Sequence, residues 1–161
     1  MEGKTVAQSS VIMSQAMIPQ DANPAGNVHG GVIMKLIDTA GAVVASRHAR
    51  ANVVTASIDR LDFLHPVFIG DFVTLKASLN FVGKTSMEVG VRVEAENLIT
   101  GETRHTSTAY LTFVALDSKG SPIQLPALIL KTNDEQRRHK EANVRRQNRL
   151  AEKSKEGSAR R

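Results

Sequence analysis

A segment that is apolar over most of its circumference, residues 32–46, constrains this fold more than any other feature of the sequence. It is too long for an ordinary strand. At about 100° per residue, a single narrow stripe of polar or small side chains runs along it, formed by Lys35, Thr39, Ala42 and Ser46. Because a helix that is apolar on nearly every side must be covered by other elements, the segment predicts a buried central helix.

The rest of the first 130 residues carries the alternation of β-strands. Residues 86–96 alternate apolar and polar without a break, and residues 73–80 do the same. A glycine-containing link at 82–85 predicts a hairpin between these two runs, and a third run follows at 103–116. With a further candidate strand at 53–63, the predicted class is α+β, an antiparallel meander of at least four strands curved around the helix. One protomer leaves part of that helix uncovered, which implies a partner subunit.

The net charge of +5 is concentrated at the end of the chain. Residues 1–130 contain ten Lys/Arg and eleven Asp/Glu, a net of −1, whereas residues 131–161 contain eleven and five, a net of +6. We therefore predict a folded domain at 1–130 and a basic tail at 131–161. The tail is expected to form a polar helix from Asp134 to about Glu152 with a disordered end, and only Val144 and Leu150 could anchor it. It is either simply solvated or a surface for RNA, DNA or another anionic partner.

Several classes of chemistry find no support in the sequence. There is no cysteine, and the five histidines show no metal-ligand spacing (positions 29, 48, 65, 105 and 139). No serine lies in a Gly-x-Ser-x-Gly elbow, and no glycine-rich phosphate loop occurs. Aromatic residues make up 4%, which disfavours a stacking platform for nucleic acid. The first twenty residues contain no long apolar run, so we expect no membrane association and a cytoplasmic location.

The loop that precedes the helix, residues 21–31, is rich in turn-forming residues and ends in Gly30 and Gly31. Two glycines at a helix start leave the backbone N–H groups unobstructed. With the helix dipole behind them, these donors could bind an anion or a developing oxyanion. The alternative is that the glycines simply permit close contact between the helix and the sheet.

Asp38 is the one carboxylate within the apolar helix. A carboxylate in such a place is costly to bury unless it is paired or hydrogen-bonded. One interpretation pairs it with Lys35 at i, i+3, a contact worth a few tenths of a kcal/mol, roughly. The other holds it at the wall of a pocket as a general base or nucleophile.

The stretch that runs from Asn27 through His29, Gly30 and Gly31 to Asp38 resembles the hot-dog-fold acyl-CoA thioesterases. More narrowly, it is similar to the bacterial acyl-CoA hydrolases related to the tandem-domain cytosolic thioesterases of animals. The likeness covers roughly residues 8–120 and omits the tail; further matching elements are Arg47-His48, Val53-Val54-Thr55, residues 62–67, Gly70-Asp71 and residues 108–114. The resemblance implies a sheet wrapped around the helix, a homodimer with two sites at its interface, and often a trimer of dimers, which is a hexamer.

The resemblance also implies roles for the motif residues. Asp38 would activate water or attack the thioester directly, and Asn27 would complete the site from the other subunit. The N–H groups of Gly30 and Gly31 would polarise the thioester carbonyl. His29, which belongs to the same motif, is expected to be a catalytic-site residue as well. Because a thiolate is a good leaving group, a base and an oxyanion site suffice. We therefore expect no metal and no redox cofactor, with coenzyme A present only as part of the substrate and product.

The phosphates of CoA require cationic partners. We expect these first at Lys84, with the hydroxyls of Thr85 and Ser86 beside it, and at Arg60; Arg47 and Arg104 are further candidates. The expected activity is hydrolysis of fatty acyl-CoA to free acid and CoA. The competing prediction is a non-catalytic hot-dog protein that senses acyl-CoA and binds nucleic acid through its tail, although no helix-turn-helix or similar module is evident.

Overall fold

The central helix, α1, spans Gly30–Ala49 in the computed structural model, which describes residues 1–159. It begins where His29 caps it, because the ring Nδ1 accepts the N–H of Gly31 at 2.9 Å. It ends where Arg50 adopts the left-handed conformation, with φ 52°. These two caps extend the helix past the predicted 32–46 at both ends.

Besides two short 3₁₀ turns, at Val6–Gln8 and Pro19–Asp21, residues 1–159 contain seven strands and a second α-helix. They are β1 (Lys4–Thr5), β2 (Val11–Ala16), β3 (Asn52–Phe63), β4 (Phe72–Val82), β5 (Ser86–Glu96), β6 (Thr103–Leu116), β7 (Leu128–Ile129) and α2 (Asn133–Ala159). Five strands form one antiparallel sheet in the order β2-β4-β5-β6-β3, and β1 pairs with β7 in a small parallel sheet. The predicted α+β class is confirmed.

The predicted strands occur with almost the predicted bounds, but the position of β3 in the meander was wrong. β3 does not lie beside β4, which follows it in the chain; it pairs with β6 at the far edge of the sheet. None of the side chains of β3 is fully buried, which suits an edge strand and not a central one. The prediction also missed β2, which pairs with β4 at the opposite edge and is mostly exposed.

The core lies between α1 and one face of this sheet. The buried side chains of β4, β5 and β6 follow the predicted alternation; they are Val73, Leu75, Ala77, Leu79, Met87, Val89, Val91, Val93, Ala95, Ala109, Leu111, Phe113 and Ala115. At one point the helix approaches the sheet very closely, since a Cβ on Gly41 would lie 2.9 Å from the Phe113 ring.

The helix α2 lies against the other face of the sheet, here called the outer face. The predicted anchors were wrong, because Val144 is 56% exposed and Leu150 50% exposed. Ala142 makes the buried contact instead. The helix also extends beyond its predicted end near Glu152, because α2 continues to Ala159. The last two residues of the predicted tail, 160 and 161, lie outside the described residues. No helix within residues 1–159 is long and apolar enough to cross a membrane.

Candidate active site

The loop before α1 is held in shape by its own hydrogen bonds. The Asn23 side-chain oxygen accepts the N–H groups of Ala25 and Asn27 at 3.0 and 3.2 Å. The Val28 N–H donates to the Val67 carbonyl at 2.8 Å, which ties the loop to the segment after β3. The loop is therefore an ordered entry to the helix.

The two glycines at the helix start differ in the state of their N–H groups. The Gly31 N–H donates to the His29 ring, so this donor is already occupied. The Gly30 N–H has no partner among the described residues, and a Cβ on Gly30 would lie 3.5 Å from the Phe63 ring. Of the two expected oxyanion donors, Gly30 is the free one, and His29 acts as the helix cap.

A cavity of about 260 Å³ opens beside this helix start. The loop, the first turn of α1 and the segment after β3 line it, with Asn23, Asn27, Val28, Gly30, Ile33, Phe63, Leu64, His65, Pro66 and Val67. Both asparagines of the loop and Gly30 thus border one space, whereas His29, Gly31 and Asp38 are not among its lining residues.

Asp38 lies eight residues further along α1, about 12 Å along the helix axis at 1.5 Å per residue. Its Oδ1 accepts a hydrogen bond from the Thr55 hydroxyl on β3 at 2.6 Å. No ion pair within 4.0 Å involves Asp38 in residues 1–159, so the alternative pairing with Lys35 does not form. The sequence carries no signal for Thr55 as the partner of Asp38, since nothing local links a helix residue to one 17 positions later.

Asp38 and Gly30 of one chain are therefore separated. The edge of the sheet beside them, formed by β3, has no partner strand in the described part of the chain. β3 is twelve residues long, pairs only with β6 among the described residues, and exposes Val54, Ile58 and Phe63. A long edge strand with exposed apolar side chains is a template for pairing with another chain.

The expected CoA-binding residues lie at two different ends of the sheet. Lys84 is exposed in the turn between β4 and β5, with Thr85 beside it and Ser86 at the start of β5. Ser86 is paired with Val114 of β6, and Val114 is paired in turn with a residue near the beginning of β3, so this turn lies at the same end of the sheet as the beginning of β3. Arg60 is near the end of β3, where it pairs with Asp62 at 2.6 Å and its side chain is 76% exposed. A single chain does not bring the two groups together.

The two further cationic candidates have structural partners. Arg47 donates to the Ser10 carbonyl at 2.9 Å. Arg104 forms an ion pair with the buried Asp71 at 2.9 Å and lies over the Phe68 ring at 5.2 Å. Both side chains therefore already have partners within the fold.

A second cavity, of about 410 Å³, lies elsewhere, between α2 and the outer face of the sheet. It is lined by cations, but most have carboxylate partners: Lys76 and Arg92 pair with Glu94, Arg137 with Asp134 and Glu141, and Arg145 with Glu88. Burial opposes the charge of Arg145, yet the hydrogen bonds and charge of Glu88 outweigh it and raise the Arg145 pKa. This cavity is on the opposite side of the sheet from α1, and its charges are largely compensated.

No three His, Asp or Glu side chains of residues 1–159 come together as metal ligands.

Comparison with known proteins identifies the class. Residues 25–102 match the family model of the thioesterase superfamily. Over 134 residues the chain is 40% identical to the uncharacterized acyl-CoA thioester hydrolase YkhA of Bacillus subtilis, covering 83% of this chain and 78% of that protein. It is 34% identical over 146 residues to the cytosolic acyl coenzyme A thioester hydrolase of Rattus norvegicus, covering 89% of this chain but only 38% of the rat protein. The chain therefore belongs to the thioesterase superfamily, among its acyl-CoA thioester hydrolases.

Solved structures agree with this assignment. An apo-hexameric acyl-CoA thioesterase superimposes with a TM-score of 0.91 at 38% identity, covering 94% of this chain and 97% of that one. The acyl-CoA hydrolase of Staphylococcus aureus, solved with butyryl coenzyme A and coenzyme A, gives a TM-score of 0.89 at 33% identity, covering 97% and 95%. The hot-dog fold inferred from the motif is thus confirmed.

Structures of alanine variants of the S. aureus hydrolase allow a comparison of spacing. The substituted asparagine precedes the substituted aspartate by 15 positions, and the substituted threonine follows it by 17. In the present chain Asn23 precedes Asp38 by 15 positions and Thr55 follows it by 17, whereas Asn27 precedes it by 11. The spacing therefore points to Asn23, which the sequence motif does not include, and to Thr55, which the resemblance covers without giving it a role.

Proposed function

We propose that this protein hydrolyses fatty acyl-CoA to free acid and CoA at a site shared between two subunits, with Asp38 as the catalytic carboxylate. Acyl-CoA thioester hydrolysis is the activity of its family. The observation that carries the assignment of the site is the carboxylate of Asp38 on the central helix, held by Thr55 and bordered by a free sheet edge.

Asp38 acts on water or on the thioester itself. In the first route a water oxygen attacks the carbonyl carbon while its proton passes to the Asp38 carboxylate. The C–S bond then breaks and CoA leaves as a thiolate. In the second route the carboxylate oxygen attacks the carbonyl carbon, the C–S bond breaks and CoA leaves as a thiolate, and water then hydrolyses the mixed anhydride that has formed. Both routes place negative charge on the carbonyl oxygen, and the Gly30 N–H at the positive end of α1 stabilises it.

The two-subunit arrangement follows from distances along α1. Gly30 and Asp38 of one chain are about 12 Å apart, too far to act on one carbonyl group. If the free edges of β3 pair antiparallel about a twofold axis, the start of α1 in one chain approaches the middle of α1 in its partner. The pairing would bring Asp38 of one chain to the loop and Gly30 of the other. It also covers the apolar side chains exposed along β3.

The loop asparagine has two candidates in this proposal. Asn27 belongs to the motif and borders the cavity, and Asn23 borders the same cavity with the spacing found in the S. aureus variants. The oxygen of Asn23 is engaged in the loop, which leaves its amide N–H groups to orient substrate or water. We assign this role to Asn23 and keep Asn27 as the alternative. His29 supports the site by capping α1, and Gly31 supports it by donating its N–H to the His29 ring.

The same pairing supports a CoA-binding role for Lys84, Thr85, Ser86 and Arg60. Antiparallel β3 edges place the start of one strand beside the end of the other. The Lys84 turn of one chain and Arg60 of the other then lie at one end of the dimer, where both cations could meet the phosphates of CoA.

Assembly and location extend the same proposal. We propose a homodimer that forms a trimer of dimers, supported by hexameric relatives, and a cytoplasmic location, supported by relatives named cytosolic. The catalytic fold is assigned to residues 1–130, with residues 131–161 appended to it.

The decisive experiment is a free-thiol release assay over acyl-CoA substrates from acetyl to palmitoyl. We expect turnover on at least one chain length, and we expect Asp38→Asn to abolish it. Tight acyl-CoA binding without turnover on any chain length would favour the acyl-CoA sensor instead. Arg145 and Arg149 already pair with carboxylates of the sheet, so fewer tail cations remain to bind nucleic acid. Asn23→Ala and Asn27→Ala, compared in the same assay, decide which loop asparagine acts.

A further inference from the structure

The helix α2 crosses the outer face of the sheet from one strand to the next. The His139 ring lies tilted against the Phe81 ring of β4, with ring centroids 5.3 Å apart. Arg145 then binds Glu88 of β5 at 2.7 Å and lies 3.7 Å over the Tyr110 ring of β6. Four residues later, Arg149 forms an ion pair with Asp59 of β3. Thus α2 runs towards the free edge of the sheet.

The distances agree with a path nearly perpendicular to the strands. Positions 139 and 149 are ten residues apart, about 15 Å of helix. The step from β4 across β5 and β6 to β3 is three strand spacings, about 14 Å. Arg149 therefore marks the point at which α2 reaches the last strand of its own sheet.

Beyond Arg149 the helix continues for ten described residues, 150–159, which we call the overhang. At 1.5 Å per residue the overhang extends about 15 Å past the contact with β3. All ten of its residues are exposed, and no further strand of this chain lies beneath them in the described part of the molecule. A solvated helical end of this length has little of its own to hold it in place.

The place of Asp59 on β3 determines what a second copy would meet. Symmetric pairing of the whole strand puts the twofold axis near its midpoint, between Ser57 and Ile58. Asp59 is about 5 Å from that midpoint, so the two α2 helices would pass within about 10 Å of each other. Helix axes at 8–10 Å, roughly, are in packing contact.

We propose that the overhang is an interaction surface for a second copy of this chain, lying across the paired β3 edges and packing antiparallel against the partner's α2. This inference rests on the two-subunit site of the proposed function. One flank of the overhang suits a helix partner, since Leu150, Ser154 and Gly157 follow one another at positions i, i+4 and i+7. Leu150 is half exposed and nothing lies within 4 Å of a Cβ on Gly157, so this flank is free to be covered.

The absence of cysteine from the sequence makes a direct test possible. Ser154→Cys introduces one thiol into the overhang, and Ser118→Cys, in the exposed turn after β6, is the matched control. Each variant is treated with a short bis-maleimide at a concentration at which sedimentation finds dimers and no hexamers. Efficient conversion of Ser154→Cys to a covalent dimer is expected, with little or none for Ser118→Cys.

A truncated chain that ends at Arg149 gives the second measurement. Because this variant keeps the Arg149–Asp59 ion pair and loses only the overhang, we expect its dimer to dissociate at least tenfold more readily. Turnover per remaining dimer should be unchanged. An active dimer in which Ser154→Cys does not cross-link, or cross-links only once hexamers form, overturns the overhang interface and leaves the proposed function standing. A chain that is active as a monomer overturns both.

Discussion

The Asp38 carboxylate on α1 accepts a hydrogen bond of 2.6 Å from the Thr55 hydroxyl on β3. This contact joins the central helix to the edge strand through which we expect the subunits to pair. It engages one carboxylate oxygen, Oδ1, and leaves Oδ2 for water or substrate. We therefore expect Thr55 to position the carboxylate.

The first prediction concerns this pair. Asp38→Asn keeps the size of the side chain but removes the base, so kcat should fall by about 10²–10⁴. Thr55→Val keeps the shape of the side chain and removes the donor to a charged group, which should lower kcat by about 10–100-fold with little change in KM. Steady-state thiol release measures both variants.

Thr55→Ser is the control, since it restores the hydroxyl and should recover most of the lost kcat. Circular dichroism spectra and urea midpoints should match the wild type for Asp38→Asn. Full activity of Asp38→Asn would contradict the assignment of the carboxylate, and a Thr55→Val variant that changes only KM would contradict the positioning role.

The second prediction tests the sharing of the site. A heterodimer of one Asn23→Ala subunit and one Asp38→Asn subunit contains one site with both native residues and one site with neither. If each site takes Asp38 from one chain and Asn23 from the other, heterodimers purified with two different tags should show about half the wild-type activity. Each homodimeric variant serves as the inactive control. Heterodimers no more active than these controls would show that the two residues act within one chain.

The sequence predicts the parts of this fold that depend on local periodicity. β5 has the predicted bounds because its odd-numbered side chains, from Met87 to Ala95, are all buried. β6 has them because its sequence is rich in Thr, Val and aromatic residues. β2 escapes notice because most of its residues are exposed at an edge. The partner of Asp38 is also non-local: Lys35 is its neighbour along the helix, yet the contact is with Thr55 on another element. Helical spacing describes which residues share a face and does not reveal which strand covers it.

The basic tail illustrates the same difference. Its composition predicts solvation, and Glu88 in the alternation of β5 reads as an exposed residue. In the structure Glu88 is only 3% exposed because Arg145, 57 positions later, binds it with two nitrogens at 3.1 and 2.7 Å. A charge pair between distant segments leaves no pattern in either of them.

The third prediction follows from that pair. Arg145→Met removes the guanidinium and leaves a buried carboxylate unpaired, which should lower the free energy of unfolding by about 3–5 kcal/mol. The double variant Arg145→Met with Glu88→Gln should be less destabilised than Arg145→Met alone, because no unpaired charge remains buried. Urea unfolding at fixed protein concentration gives both values.

Arg138→Met is the matched control on the same helix, since Arg138 is exposed and makes no ion pair within residues 1–159. Its effect should stay within about 0.5 kcal/mol. Equal destabilisation by Arg138→Met and Arg145→Met would show that the Glu88 pair does not hold α2 to the sheet.

The last prediction concerns His48, a fully buried residue in the last turn of α1. Its ring Nε2 lies 2.8 Å from the Pro126 carbonyl, to which the neutral ring donates, and its Nδ1 has no partner within residues 1–159. Burial lowers the pKa of His48; the Pro126 hydrogen bond opposes this shift, and the charge of Lys4 adds to it. The folded state therefore keeps the ring neutral at a pH at which the unfolded chain binds a proton.

The sign of the pH dependence follows from this difference in proton binding. Between the lowered folded pKa and the unfolded value of about 6.5, the unfolded chain binds more protons, so stability rises with pH. The contribution of His48 is complete above about pH 6.5 and is lost as the pH falls towards the folded pKa, at up to about 1.4 kcal/mol per pH unit.

His48→Gln keeps a donor for the Pro126 carbonyl and cannot be protonated. Urea unfolding of both proteins at pH 7.5 and pH 5, at one protein concentration, should therefore show the variant gaining on the wild type at the lower pH. An identical stability difference at the two pH values would contradict a neutral His48.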